Sequence, residues 1–142
     1  MGFWSIDEFC DKLSARNFSK VHKDAFKLLS PYFYFSYYGN NTEYMHLRAN
    51  KSVCNKPEME HIYAHVSFRK NKLYFSDMGT DSNSILGTSP SLIKTYSRID
   101  STPIQNHDRN IKEITQENVY VAVSNILRAY LQHLNDCYTT NK

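Results

Sequence analysis

The spacing of apolar residues changes along the chain and predicts short helices first, strands next and a long helix last. Apolar residues recur about every 3.6 positions in residues 6–13 and 19–29, which predicts two short helices. Ser5 and Glu8 have the spacing of a capping box, which opens the first helix, and Pro31 ends the second.

Between residues 32 and 77 the apolar positions alternate instead, as they do in strands that bury one side. Gly39-Asn40-Asn41-Thr42 and Arg69-Lys70-Asn71-Lys72 have the composition of hairpin turns. The pattern therefore predicts an antiparallel meander of four strands, at residues 32–38, 43–49, 61–68 and 73–77.

A stretch rich in Ser, Thr, Asn and Gly follows as far as residue 110. It contains one short predicted helix, which begins at Ser89-Pro90 and ends at Tyr96. An apolar stripe through residues 115–135 then predicts the longest helix. We expect one α+β domain over residues 1–142, with N-terminal helices, a four-stranded antiparallel meander and a C-terminal helix packed on one face of the sheet.

The alternation divides the predicted strands between two faces of the sheet. The first face is apolar and forms the expected core: Phe33, Phe35, Met45, Leu47, Ile62, Ala64, Val66, Phe68, Leu73 and Phe75. The second face is rich in tyrosine, histidine and arginine: Tyr32, Tyr34, Tyr38, Tyr44, His46, Arg48, Tyr63, His65, Arg69 and Tyr74. Because solvated surfaces favour Lys, Glu, Ser and Thr, this composition indicates a surface with a function.

Tyrosine and arginine carry much of the binding energy at protein interfaces, and aromatic rings beside basic groups also bind nucleic acid. The predicted binding residues are therefore those of the second face and of the basic turn beside it: Tyr32, Tyr34, Tyr44, His46, Arg48, Tyr63, His65, Arg69, Lys70, Lys72 and Tyr74. Two other interpretations are open: helices cover both faces, or two copies of the chain pair through this sheet.

No set of residues for catalysis or for metal binding stands out. His61 and His65 are four positions apart, and on a strand this separates them by about 13 Å, too far for one zinc ion. Asp77 and Asp81 follow a strand end, so a metal-dependent nuclease is kept as an alternative. No Walker loop, G-x-S-x-G motif or Cys-His nucleophile arrangement occurs, and we expect neither catalysis nor a cofactor.

Composition narrows the setting in which the protein acts. The chain is 41% apolar but has no long apolar run, which excludes a disordered protein and a membrane span. Its 13 Asn, 11 Lys and 11 Tyr have AT-rich codons, a bias typical of AT-rich bacteria, phages and mobile elements. The net charge of +3 is weak support for a nucleic-acid partner. Cys10, Cys54 and Cys137 form no pairing motif and no signal peptide pattern is present, so we expect a cytoplasmic location, in the bacterial or the host cell.

Two short motifs resemble those of known families. Leu73-Tyr74-Phe75-Ser76-Asp77-Met78-Gly79 resembles the Ser-Asp-x-Gly hairpin turn of a family of small uncharacterised prokaryotic and phage domains, whose order of elements is similar. Arg48, His65 and Asp77-Met78-Gly79-Thr80-Asp81 resemble, in order and rough spacing, the motifs of forkhead-associated domains, which bind phosphothreonine. The second resemblance implies that Arg48 and Thr80 contact a phosphate and that Asp81 contributes to specificity, although Leu47 stands where that family has glycine.

These observations favour a binding function. We expect a small protein of phage or mobile-element type that acts on a protein partner through the second face. One version is an inhibitor of a host defence complex that handles nucleic acid, as anti-CRISPR proteins are. Direct nucleic-acid binding through the same face and a homodimer are the alternatives, and no membrane partner is expected.

Overall fold

The computed structural model describes residues 2–37, 39–40, 42–50, 62–76 and 111–140. Within these ranges the chain forms three helices and one sheet, which confirms the predicted α+β class. The predicted helix that ends at Tyr96 lies outside the described residues.

Three helices begin and end close to the predicted positions: α1 at Ile6–Ala15, α2 at Lys20–Lys27 and α3 at Val119–Thr140. The predicted capping box opens α1. The Ser5 hydroxyl accepts from the Glu8 backbone N–H at 3.1 Å, and the Glu8 carboxylate accepts from the Ser5 N–H at 3.1 Å. These two bonds satisfy backbone donors that the first helical turn would otherwise leave without an acceptor.

Within the described residues the sheet has six strands, two more than the four predicted, and each pairs antiparallel with its neighbours in chain order. The strands are β1 Gly2–Ser5, β2 Phe33–Tyr37, β3 Tyr44–Ala49, β4 Ile62–Arg69, β5 Lys72–Ser76 and β6 Ile111–Glu113. The prediction missed β1 and β6, the two outermost strands. They have four and three residues, too few for an alternating pattern to be recognised.

Helices pack on the first face of the sheet and bury it. The Phe9 ring of α1 lies 4.0 Å from the Phe35 ring, and the Phe26 ring of α2 lies 5.6 Å from the Phe75 ring, measured between centroids. The side chains predicted for the first face are confirmed as core, each at most 5% exposed: Phe33, Phe35, Met45, Leu47, Ala64, Val66, Phe68, Leu73 and Phe75. The side chain of Ile62 is not among those described.

Polar side chains of α1 and α2 also contact other parts of the fold. His22 of α2 is buried, and its Nε2 lies 2.9 Å from the carbonyl oxygen of Ile114, between β6 and α3. Lys12 of α1 donates from Nζ to the Thr42 carbonyl at 2.6 Å and lies 3.5 Å from the Glu43 carboxylate. Each contact supplies a partner to a group that would otherwise be costly to bury.

Candidate binding face

Four polar side chains on the middle strands of the second face form a group that we call the polar centre: Ser36, His46, Arg48 and His65. Three of them lie in one row across β2, β3 and β4. Ser36 lies opposite His46, and His46 lies opposite His65. Arg48 follows two residues after His46 on the same side of β3, as the alternation predicts.

This polar centre is buried in the folded chain. His46, Arg48 and His65 are each 2% exposed, and Ser36 is fully buried. The sequence predicted the face on which these side chains lie, but alternation gives no information about what covers that face. These three predicted binding residues therefore do not lie at the surface of the fold.

Contacts between these side chains hold the centre in place. Arg48 donates from Nε to the Ser36 hydroxyl at 2.9 Å. Tyr44 and His65 share a hydrogen bond between the phenol hydroxyl and Nδ1, and the His46 ring lies edge-on to the His65 ring with centroids 4.6 Å apart. Buried polar groups with partners of this kind favour one arrangement of the strands over others.

Two predicted residues do not lie on the second face, so their placement there was wrong. Tyr63 is fully buried in the core, where its ring lies 5.3 Å from Phe33 and 5.9 Å from Tyr130. Tyr32 precedes β2, and its ring lies 5.7 Å from the Tyr130 ring of α3. Burial also raises the pKa of the Tyr63 phenol well above its ordinary value.

A β-bulge is the physical reason why Tyr63 lies in the core. Leu47 pairs with Ala64, but the next residue, Arg48, pairs with Ile62. Tyr63 is therefore an extra residue of β4, and the alternation of side chains changes at this point.

One edge of the second face carries two aromatic side chains, Phe3 and Tyr34, which we call the aromatic border. Their ring centroids are 5.5 Å apart. Phe3 is 55% exposed and Tyr34 is half-buried. Sequence reasoning missed Phe3 because β1 was not predicted. The only local signal was the run of apolar residues directly before the capping box.

The opposite side of the face ends in the turn between β4 and β5, residues 69–72, which we call the basic tip. Arg69, Lys70 and Lys72 are exposed there, as the sequence predicted for this turn. The Arg69 guanidinium lies 5.8 Å from the centroid of the half-buried Tyr74 ring. Lys72 has a distant ion pair, with Nζ 3.9 Å from the Glu113 carboxylate.

A charged cleft of about 550 Å³ lies between α1 and α2, away from the second face. Aspartates and a serine of α1 line it together with lysines and an aspartate of α2: Asp7, Asp11, Ser14, Lys20, Lys23, Asp24 and Lys27. Cys10 also lines it, and burial raises the pKa of this thiol to about 11. The thiol is therefore protonated at neutral pH and is a poor nucleophile.

The two aspartates of the nuclease alternative, and one histidine of the pair that strand spacing excludes as a zinc site, are not described by the structure. His61, Asp77 and Asp81 all lie outside the described ranges. Within those ranges, no three side chains of His, Cys, Asp or Glu come together in a group that could hold a metal ion. The nuclease alternative therefore stays a prediction.

Comparisons with known proteins leave the family open. No protein-family model matches the chain, and neither a curated protein nor a solved structure matches it. The two resemblances drawn from short motifs stay predictions, and Thr80 and Asp81 lie outside the described residues. None of the described helices has an apolar stretch that could span a bilayer.

Proposed function

We propose that this chain is a small binding protein and that a protein partner docks on the aromatic border of the second face. The observation that carries the proposal is the pair Phe3 and Tyr34, whose rings are close together while Phe3 stays 55% exposed. Large aromatic side chains lose little conformational freedom on docking, and they dominate the binding energy of many interfaces.

The buried centre beside this border supports the proposal. Tyr34 lies opposite Arg48 in the strand register, and Arg48 is fixed by its hydrogen bond to Ser36. A surface held in one conformation before binding loses less entropy when a partner docks.

A more specific version of the proposal rests on the codon-biased composition and on the lack of a pairing motif among the three cysteines. In it, the protein is of phage or mobile-element type, acts in the cytoplasm and inhibits a host defence complex. The identity of the captured partner tests this version: a component of such a complex would support it, and an unrelated partner would contradict it.

The experiment is a pull-down with tagged protein from a lysate of cells that carry the gene, with and without nuclease, read by quantitative mass spectrometry. We expect one stoichiometric protein that persists after nuclease treatment. The variant with Phe3→Ser and Tyr34→Ser should lower its affinity at least about 30-fold, the effect of losing one interface hot spot. Leu28→Ser is the matched control, because Leu28 is 51% exposed at the end of α2.

Three results would contradict the proposal. The double variant could capture the partner as well as the wild type does, or the control could lose it equally. All partners could also disappear after nuclease treatment, which would make nucleic acid the bound species. A chain that forms a dimer with Phe3 at its interface would favour the homodimer alternative instead.

A further inference from the structure

The turn at the basic tip has an unusual backbone for its sequence. β4 and β5 are joined by only two residues, Lys70 and Asn71, because Arg69 and Lys72 are already paired across the strands. Both turn residues have positive φ, 52° at Lys70 and 64° at Asn71. A two-residue hairpin with both central residues in this region is a type I′ turn.

Lysine is unfavourable at the first position of this turn. Asn and Gly are favoured there, whereas the side chain of lysine makes the left-handed backbone conformation higher in energy. Asn71 suits its own position. The side chain of Lys70 is exposed, and it makes no hydrogen bond or ion pair within the part of the chain that the structure describes.

The basic tip concentrates positive charge within four consecutive residues, where Arg69, Lys70 and Lys72 carry three positive charges. Glu113 of β6, whose carboxylate lies 3.9 Å from Lys72, carries one negative charge, so these four side chains together carry +2. The neighbouring apolar side chains, Phe68 and Leu73, are buried. The tip therefore offers a partner charge but little apolar surface.

We propose that the basic tip contacts the phosphodiester backbone of nucleic acid and that Lys70 occupies its strained position for the sake of its charge. Phosphate contacts supply affinity without apolar burial, whereas protein interfaces have a core of desolvated aromatic or apolar side chains. A two-stranded ribbon also has dimensions that fit the major groove of B-DNA. This inference uses none of the residues of the aromatic border.

The test measures binding and stability on the same variants. A fluorescein-labelled duplex of about 20 base pairs is titrated with protein, by anisotropy, between about 50 and 200 mM salt. We expect a dissociation constant in the range of about 10⁻⁶ to 10⁻⁴ M and a log–log salt slope of about −2.7, for three phosphate contacts.

Lys70→Asn separates the effect of the positive charge of Lys70 on DNA binding from the effect of its strained backbone on stability. We expect the variant to bind DNA about fivefold more weakly and its salt slope to be reduced by about 0.9. The same variant should be more stable, with a Tm about 3 °C higher, because asparagine tolerates the left-handed turn. Lys27→Gln is the control: it removes the same charge from an exposed lysine of α2 and should change DNA affinity less than twofold.

Five results would overturn the inference. The first is no binding of the duplex at about 50 mM salt. The second is wild-type affinity in Lys70→Asn, and the third is an equal loss of affinity in Lys27→Gln. A Tm that stays unchanged or falls in Lys70→Asn would refute the strain argument. Polyglutamate that competes as well as DNA at equal charge would show that the tip recognises acidic chains in general. None of these results bears on the test of the aromatic border.

Discussion

Replacement of Tyr63 tests the strand register on which the candidate face depends. In the structure, Tyr63 is fully buried between Phe33 and Tyr130. In the register predicted from sequence, the same side chain lies on the second face beside His65. On the second face the ring would lack its contacts with Phe33 and Tyr130, so the two arrangements predict different costs for Tyr63→Ala.

The expected cost follows from the size of the buried ring. Replacing a buried large aromatic side chain by alanine costs about 3–5 kcal/mol, because apolar contacts are lost and a cavity is left. Domains of this size have a total free energy of unfolding of about 5–15 kcal/mol, so Tyr63→Ala should remove a large part of it. A cost of 4 kcal/mol with a urea m-value of about 2 kcal/mol/M lowers the unfolding midpoint by about 2 M.

The assay is urea unfolding followed by far-UV circular dichroism. Tyr32→Ala is the matched control, since Tyr32 loses the same atoms but is 45% exposed and contacts the same ring, Tyr130. We expect the control to cost less than about 1 kcal/mol. If Tyr63→Ala also costs less than about 1 kcal/mol, the strand pairing with the β-bulge is wrong and Tyr63 lies on the second face.

Three further predictions concern contacts on the helix side of the fold. His22→Ala removes the partner of the buried Ile114 carbonyl and should cost about 2 kcal/mol in urea unfolding; a cost below about 0.5 kcal/mol would contradict this contact. Burial raises the pKa of Cys10 from 9.0 to about 11, so the folded state favours the protonated thiol and stability should fall between pH 9 and 11. Cys10→Ala should make that fall smaller, and the buried Tyr63 phenol, whose pKa is also raised, accounts for a fall that remains above about pH 10. In a variant without the other cysteines, the thiol should react with Ellman's reagent only on unfolding, and rapid reaction of the folded protein would refute its burial. Glu43→Gln removes the carboxylate beside Lys12 and should cost about 0.5 kcal/mol, an effect that about 1 M salt abolishes; a difference unchanged by salt would exclude a coulombic origin.

Local patterns predicted the parts of the fold that local interactions determine. The capping box at Ser5 and Glu8 needs only four consecutive residues, and it is formed as expected. The alternation in β2 and β3 placed Phe35 and Leu47 in the core and His46 on the second face.

The missed features depend on contacts distant in sequence. Residues 62–68 alternate without interruption in the sequence, and nothing local indicates the bulge, which forms where Tyr63 packs against Phe33 and Tyr130. The burial of His65 could not be predicted either, because alternation assigns a side chain to a face but does not show what covers that face. For the candidate site, the sequence proposed Tyr34 and the basic tip as binding residues, and the structure leaves Tyr34 half-buried and the tip exposed, but the sequence missed Phe3.

The positions of the polar centre, the aromatic border and the basic tip all depend on the register of the same strands. If β4 slipped by one residue against β3, Val66 would move to the second face and His65 would move under the helices. Both the core and the polar contacts therefore favour one register, and that register determines where the aromatic border and the basic tip lie. Phe3 on β1 and Lys72 on β5 are four strands apart, which corresponds to about 19 Å. Side chains at this separation share no contacts, so substitutions on the aromatic border should leave binding at the basic tip unchanged, and the reverse should also hold. A protein on the aromatic border and a phosphate backbone on the basic tip can consequently be bound, and tested, independently of each other.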